Sequence, residues 1–425
     1  MIQKTEVGDQ TQYLTRKFND STIRFILKYP CLLDGHLLSQ AAQILVQRLT
    51  ILHSSFHADL LGTRWITRKD YETDSLTVIE EIQGDVMDAA REAALHSIDY
   101  AGETQIRCYL FQNGSESALV FLVGHMCADG RDAAYLLKKL VEIYNALLAG
   151  NSGQEVELKS GSRSVKQCRR EDFEIFRHEF HKAQSGHRAA IKSEWHFATE
   201  GEGEPCLVQC LIPKETISSC RRLTEGSSVN DVILAAYYRA YARQMALSEK
   251  TPVSIASMMD LRKYIPEGDS QGVANLSGPL NTSLPQGVGP DFSHTLCHIT
   301  QQTLALKDDK TAGLGMILAM DKLFKITLFP VLIPLSEILY SSLSIGLTNL
   351  GNVKGDELKI GELAAERMLF AGPLKKKPAL QVSASGLNGD VSLCIVSQCT
   401  REDQLQLEEL LRGISDEIHG AAGAG

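Results

Sequence analysis

The chain has 425 residues, with 43 Lys+Arg against 52 Asp+Glu and a formal net charge of −9. This acidic surplus, with no long Lys/Arg run, excludes a general nucleic-acid binder, which needs basic residues to neutralise phosphates. At about 150 residues per domain the length predicts two or three domains, and 44% hydrophobic with 22% charged residues excludes a disordered chain.

The N-terminus, Met1-Ile2-Gln3-Lys4-Thr5-Glu6, lacks the apolar core of a secretory leader, which predicts a cytoplasmic protein. Residues 21–28 alternate as a strand, and Leu37, Leu38, Ala41, Ala42, Leu45, Leu49 and Leu52 then share one helical face. A helix is predicted over 85–96, followed by a hairpin of strands 105–111 and 118–124. The second of these is wholly apolar from Ala118 to Val123, so it is expected in the centre of a sheet, covered on both faces. It runs into His125, after which Ala133, Leu136, Leu137, Leu140, Tyr144, Leu147 and Leu148 mark an amphipathic helix that stops at Gly150.

From 151 to 203 Gly, Ser and charged residues dominate, an interdomain connection with a polar helix around 169–187. The second half resumes with strands 206–212 and 252–259 and, between them, a helix over 229–245 capped by Ser227 or Ser228. Residues 270–290 read as a long crossover loop. The longest uncharged stretches, 326–336 and 338–353, are separated by Glu337 and each is shorter than the roughly 20 residues that span a bilayer. The apolar stretch 323–343, broken by Pro330 and Pro334, is open to three readings: core, acyl groove or peripheral membrane contact. Asn388-Gly389 joins strands 380–385 and 391–398, and a helix over 402–419 precedes a Gly/Ala tail at 420–425. The ten cysteines form no C-x-x-C pair, and the closest in sequence, Cys206 with Cys210 and Cys394 with Cys399, read as reduced core thiols. The fold class is α/β with mixed sheets, in two units: 1–150, the connection 151–203, and 204–425.

Chemistry concentrates at Gly124-His125-Met126-Cys127-Ala128-Asp129-Gly130, where a buried strand ends and a helix begins. A histidine at such a strand end suits proton transfer near neutral pH. The alternative is a satisfied strand-end histidine, with Asp129 as a helix cap and Gly130 in a tight turn. Cys127 is two residues from His125 on the same chain, a poor geometry for a nucleophile pair. His53 with His57, and His294 and Cys297 with His298, have helical metal-ligand spacing but no acidic third ligand, and read as solvated or packed side chains.

The His125/Asp129/Gly130 pattern resembles the His-x-x-x-Asp-Gly motif of the chloramphenicol acetyltransferase-like superfamily, which includes condensation domains, BAHD acyltransferases and alcohol acetyltransferases. Ser228-Val229-Asn230-Asp231-Val232 is similar to its Val-Asn-Asp-Val helix start, Asp260-Leu261-Arg262 to its Asp-x-Arg, and Thr348-Asn349-Leu350-Gly351 to its Ser-Asn-x-Gly turn. Arg48 to Phe56 resembles the helix exit Arg-His-x-x-Leu-Arg-x-x-Phe. The resemblance implies two such domains forming a V-shaped pseudo-dimer, and an acyltransferase that moves an acyl group from a thioester to an alcohol or amine. His125 would be the general base, Asp129 a structural residue paired with Arg262 beside Asp260, Gly130 a close turn, and Thr348, Asn349 and Gly351 part of the substrate channel.

It further implies no resident cofactor or metal, acyl-CoA or a phosphopantetheine thioester as co-substrate, a small-molecule acceptor, and a monomer. Lys375, Lys376 and Lys377, the compact basic run, would attract donor phosphates or simply form a solvated loop. Arg262 is either the anchor of Asp129 or a solvated strand end. Condensation domains usually carry two consecutive histidines, and the first is Gly124 here. A free-standing condensation enzyme with a carrier-protein donor, or a catalytically silent binding module, are the rival readings.

Overall fold

In the computed structural model the strands Thr22–Tyr29 and Ser117–Gly124 pair antiparallel over their whole length, from Thr22 opposite Gly124 to Tyr29 opposite Ser117. The structure describes residues 1–423 except 61, 72, 103, 169–192, 267–270, 310 and 341–344, so the polar helix expected around 169–187 lies outside the described residues. A five-stranded sheet runs in the order Arg367–Ala371, Thr22–Tyr29, Ser117–Gly124, Ile106–Gln112, Thr77–Glu81, which puts the apolar strand at its centre. Alternation explains why that strand carries no polar side. Leu119, Phe121 and Val123 pack with helices Gly35–Arg48 and Gly130–Leu148, while Ala118, Val120 and Leu122 face helix Val86–Ala93.

The second sheet has eight strands. Its main path is Ser277–Pro279, Val253–Asp260, Ile345–Val353, Leu380–Leu387, Asp390–Cys399, Lys375–Lys376, with Thr282–Leu284 on Val253–Asp260 and Glu204–Ile212 on Asp390–Cys399. It is mixed: Ile345–Val353 lies parallel to both of its neighbours, whereas Leu380–Leu387 and Asp390–Cys399 form an antiparallel hairpin. The hairpin turns on Asn388 (φ 53°) and Gly389 (φ 104°), the left-handed pair that an Asn-Gly sequence favours. Helices Val229–Gln244, Phe292–Asp308 and Arg401–Gly423 pack on this sheet in one apolar cluster. A small third sheet holds Ile2–Lys4, Gly62–Thr67 and Ser54–Asp59.

Several expectations change. Arg367–Ala371 belongs to the first sheet, paired with Thr22–Tyr29, so the segment 204–425 is not one unit in its strand pairing. Its residues alternate between the two clusters of that sheet, Met368 and Phe370 on one face and Leu369 and Ala371 on the other, which fits a strand covered on both sides. The expected loop 270–290 contains two short strands, both bonded to Val253–Asp260. The tail 420–425 is helical as far as Gly423, because Ala421 and Ala422 still find apolar neighbours on the second sheet's cluster.

The proline-rich stretch forms helices Leu314–Ile326 and Phe329–Tyr340, with Pro334 inside the second. Pro330 sits in the first turn, where no backbone N–H is needed, and the donor missing at Pro334 would have served Pro330 itself. Phe329 and Leu332 are buried against Leu14, while Ile326, Leu328 and Val331 are exposed, so the stretch is core on one side only. Among the described residues no helix is long and apolar enough to cross a membrane.

Candidate active site

His125 leaves the central strand with its backbone N–H donating to Ser21 O at 2.7 Å, and the chain closes a tight loop as Cys127 N donates to Gly124 O at 3.1 Å. Asp129 then caps helix Gly130–Leu148, accepting from Asp132 N at 3.0 Å. Every carbonyl from His125 to Ala128 has a side-chain donor. Asn275 Nδ2 donates to His125 O (3.0 Å) and Met126 O (2.9 Å), Arg163 Nη2 donates to Cys127 O (3.1 Å), and the His125 ring itself donates from Nδ1 to Ala128 O (2.9 Å).

That last bond assigns the tautomer. A carbonyl only accepts, so Nδ1 carries the proton and Nε2 keeps its lone pair. Burial pushes the imidazole below its ordinary pKa; the Asp129 charge opposes this and the Lys375 charge adds to it. The ring is therefore neutral at neutral pH, the state a general base requires.

Asp129 is buried and fully engaged. Oδ2 accepts from Arg262 Nη1 (2.9 Å), Leu276 N (2.7 Å) and Ser277 Oγ (3.2 Å), and Oδ1 from Arg262 Nη2 (3.2 Å) as well as Asp132 N. Burial alone would raise its pKa, but the Arg262 guanidinium and these hydrogen bonds outweigh burial and hold the carboxyl below the usual carboxylate range. With about four lone-pair sites filled, Asp129 has no capacity left for a substrate. Arg262 also meets Asp132 Oδ2 (2.8 Å), Asp260 Oδ1 (2.9 Å) and Ala274 O (3.1 Å), so it is an anchor and not a solvated strand end.

The sequence did not single out half of this scaffold. Asp132 takes Lys159 Nζ at 2.6 Å and Ala274 N at 2.8 Å. Arg163 clamps Asp9 through both terminal nitrogens at 3.0 Å and reaches Val273 O at 2.7 Å, while Trp65 Nε1 donates to the same carboxylate at 2.9 Å. Lys159 and Arg163 come from the segment expected to be a plain connection. Asp132 alone left a signal, as an acidic residue in the first turn of the helix; Asp9, Arg163 and Asn275 are joined to the loop only by the tertiary fold.

Gly130 has no left-handed backbone, and an added Cβ would lie 3.4 Å from Phe370, an ordinary contact distance, so neither its conformation nor its packing demands the close turn expected of it. Gly124 is tighter, since a Cβ there would meet Gln105 Oε1 at 2.4 Å. Gln105 is fully buried and donates to Ser54 O (3.1 Å) and Tyr100 O (3.3 Å), so it fills the space beside the motif.

Thr348, Asn349 and Gly351 do not form a free turn. They lie within strand Ile345–Val353, at an irregularity in its pairing between Asn349 and Asn352. Asn349 Nδ2 donates to Asn230 Oδ1 at 3.1 Å and its Oδ1 accepts from Gly351 N at 2.9 Å, tying the strand to the start of helix Val229–Gln244. Leu350 between them comes against Gly130. Asn349 and Thr348 make no hydrogen bond with His125 among the described residues.

The lysine run is not a surface patch. Lys375 is buried in a two-residue strand, Lys377 donates to Asp403 Oδ2 at 2.6 Å and to Thr199 O and Gly201 O at 2.7 Å, and Lys376 is the exposed one of the three. Alternation along the strand separates Lys375 from Lys376, and Lys377 follows in the turn beyond it. Among the described residues no group of three or more His, Cys, Asp or Glu side chains is placed to hold a metal. His53 and His57 are not on one helix: the first ends a 3₁₀ turn, Thr50–His53, and the second lies on strand Ser54–Asp59. His294 and His298 bring their ring centroids to 4.6 Å at a tilt of 53° on the surface of helix Phe292–Asp308.

No family model and no curated protein matches the sequence. Solved structures do. The epimerization domain from the third module of tyrocidine synthetase B aligns with TM-score 0.69 at 15% identity, over 100% of this chain and 97% of that chain. The first condensation domain of the calcium-dependent antibiotic synthetase, in complex with a substrate analogue, aligns with TM-score 0.69 at 14% identity, over 99% and 97%. Trichothecene 15-O-acetyltransferase from Fusarium sporotrichioides aligns with TM-score 0.69 at 10% identity, over 99% and 95%. Alignment over the whole length of unlike sequences, with mixed sheets in both halves, gives this chain the two-domain chloramphenicol acetyltransferase-like fold that condensation domains share.

Proposed function

We propose that this protein is an acyltransferase that moves an acyl group from a thioester to an alcohol or amine, with His125 as general base. The observation that carries the reading is the His125 Nδ1 bond to Ala128 O, which leaves Nε2 unprotonated at the end of the central strand. Nε2 removes the proton of the acceptor O–H or N–H as the heteroatom attacks the thioester carbonyl. The tetrahedral intermediate then collapses, and the leaving thiolate takes the proton back from Nε2. No side-chain nucleophile is required.

Asp129 acts through position: held by Arg262, it fixes the loop that aims the ring. The donor is acyl-CoA or a phosphopantetheine thioester. Condensation domains and an O-acetyltransferase among the structural neighbours support the acyl-transfer class without choosing between these donors. Dispersal of Lys375 to Lys377 removes the run as a ready-made phosphate site.

The test is thiol release from short- and long-chain acyl-CoA and from acyl-phosphopantetheine carriers, over a panel of alcohols and amines. The expected result is turnover by the wild type and a fall of about 10²- to 10⁴-fold in His125→Ala. Equal turnover in the mutant rejects His125 as base, and no turnover of any donor by the wild type favours a silent binding module.

A further inference from the structure

We infer that Cys206 and Cys399 are a disulfide-forming pair, a thiol site that a small disulfide such as oxidised glutathione converts into an intrachain crosslink. The two sulfurs lie 3.3 Å apart although the residues are separated by 193 positions in the chain. Strand register explains the approach. Glu204–Ile212 runs antiparallel to Asp390–Cys399, with Cys206 opposite Ser397 and Glu204 opposite Cys399. Cys399 is two residues beyond Ser397, so it points to the same face of the sheet as Ser397 and Cys206, as their diagonal neighbour.

A disulfide needs about 2.05 Å between sulfurs. Starting from 3.3 Å, the gap closes with a movement of about 0.6 Å at each sulfur and no change in strand register. The pairs that are close in sequence cannot do this: Cys206 and Cys210 are four residues apart along one strand, a rise of about 13 Å.

The site is also reachable. Cys206 is half-buried on a strand that, among the described residues, pairs on one side only, next to exposed Glu204 and Pro205, while Cys399 is buried. The Cys206 thiol shares its proton with the Cys399 sulfur. That hydrogen bond lowers the pKa of Cys399; burial and Asp403 oppose it and Lys377 reinforces it. The pair thus holds one thiol that ionises more easily than its partner, as thiol exchange requires.

The exchange balances in two steps. A thiolate of the pair attacks one sulfur of glutathione disulfide, breaks its S–S bond and expels one glutathione. The second cysteine, as its thiolate, attacks the protein sulfur of the mixed disulfide, forms the Cys206–Cys399 bond and expels the other glutathione. Two electrons pass from the protein thiols to glutathione disulfide, and the two protons end on the two released glutathione thiols.

The crosslink would close the chain from 206 to 399, which includes Arg262, the anchor of the motif loop. It restricts the unfolded chain more than the folded one, so the oxidised protein is expected to melt at a higher temperature.

The test treats the full chain with excess oxidised glutathione, then blocks free thiols and maps peptides without reduction. All ten cysteines are free in the structure, so the expected result is a drop from ten titratable thiols to eight, one peptide pair linking Cys206 to Cys399, and a rise in melting temperature of several degrees. All three effects should vanish in Cys206→Ser and, separately, in Cys399→Ser. Glutathione left on Cys206 with no linked peptide, or a link through Cys210 or Cys394, would overturn the assignment. Because none of these measurements uses acyl transfer, the outcome is independent of the proposed activity.

Discussion

Arg262 reaches from the second sheet to Asp129 at the end of the first, with its two terminal nitrogens 2.9 and 3.2 Å from the two carboxylate oxygens. A planar guanidinium matches a carboxylate in this way, whereas an ammonium offers only a point charge. Both side chains are almost wholly buried, at 8% and 2% exposure, so neither can turn to water if its partner is removed.

Asp129→Ala should therefore cost about 3–5 kcal/mol of unfolding free energy, the usual loss when one half of a buried ion pair is removed. Arg262→Lys is expected to recover only part of that. Because the Asp129 pKa is depressed in the folded state, its contribution is present above the unfolded value near pH 4 and is lost as pH falls through the folded value. Urea unfolding at pH 7 and at pH 3 measures both, and a normal midpoint for Asp129→Ala at pH 7 would contradict the role.

A second guanidinium grips the same loop from the opposite end of the chain's order. Arg163→Met removes the bidentate pair with fully buried Asp9 and the donors to Cys127 O and Val273 O. The expected loss is again about 3–5 kcal/mol. Asp9→Asn with Arg163→Met should lose less than the sum of the single changes, since each single change strands a buried charge; additive losses in a double-mutant cycle would show that the two do not act as a pair.

Gly124 offers a steric test. Gly124→Ala places a Cβ against Gln105 Oε1, and that side chain cannot retreat without breaking its bonds to Ser54 O and Tyr100 O. A destabilisation of about 1–3 kcal/mol is expected, the range for overpacking a core. Gln105→Ala in the same chain should relieve part of it. A neutral Gly124→Ala would mean that Gln105 has room to move.

The pH dependence of the proposed reaction follows from His125. Burial lowers its folded pKa, so the neutral base persists below the ordinary histidine range, and turnover should fall on the acid side only as pH drops through that lowered value. The buried Lys375 charge contributes to the lowering. Lys375→Met should therefore raise the His125 pKa and move the acid limb of kcat/KM to higher pH, with the rate on the plateau less affected. An unmoved limb, read together with the ring proton shifts of His125 by NMR, would exclude that electrostatic link.

Much of the scaffold is legible in the residues themselves. The apolar run Ala118 to Val123 required a strand covered on both faces, and Asn388-Gly389 required a hairpin. A helix start capped by Ser227 or Ser228 was legible in the chain, and the structure puts the cap at Ser228, whose side chain accepts from Asp231 N. Such features are local: a backbone preference or a two-residue alternation is decided within a few positions. The pattern His125, Asp129, Gly130 likewise marked the loop where chemistry concentrates, because a strand end followed by a helix start is a local event.

Beyond the Arg262–Asp129 pair that the resemblance implied, what holds that loop is not local, and the sequence is silent on it. Asp9, Arg163 and Asn275 lie on a short helix, in an irregular segment and beside a strand, and no spacing relates them; only the fold brings them under the carbonyls of residues 125 to 127. The same holds for Arg367–Ala371, which crosses to the first sheet, and for Lys375 to Lys377, which read as one basic run although the strand sends Lys375 inward and the turn after it brings Lys377 to Asp403. Composition and local pattern determine which segments are strands and helices and where an imidazole can be offered. Partners for buried charges are chosen by desolvation, since a carboxylate taken out of water must find a guanidinium wherever in the chain the packing places one.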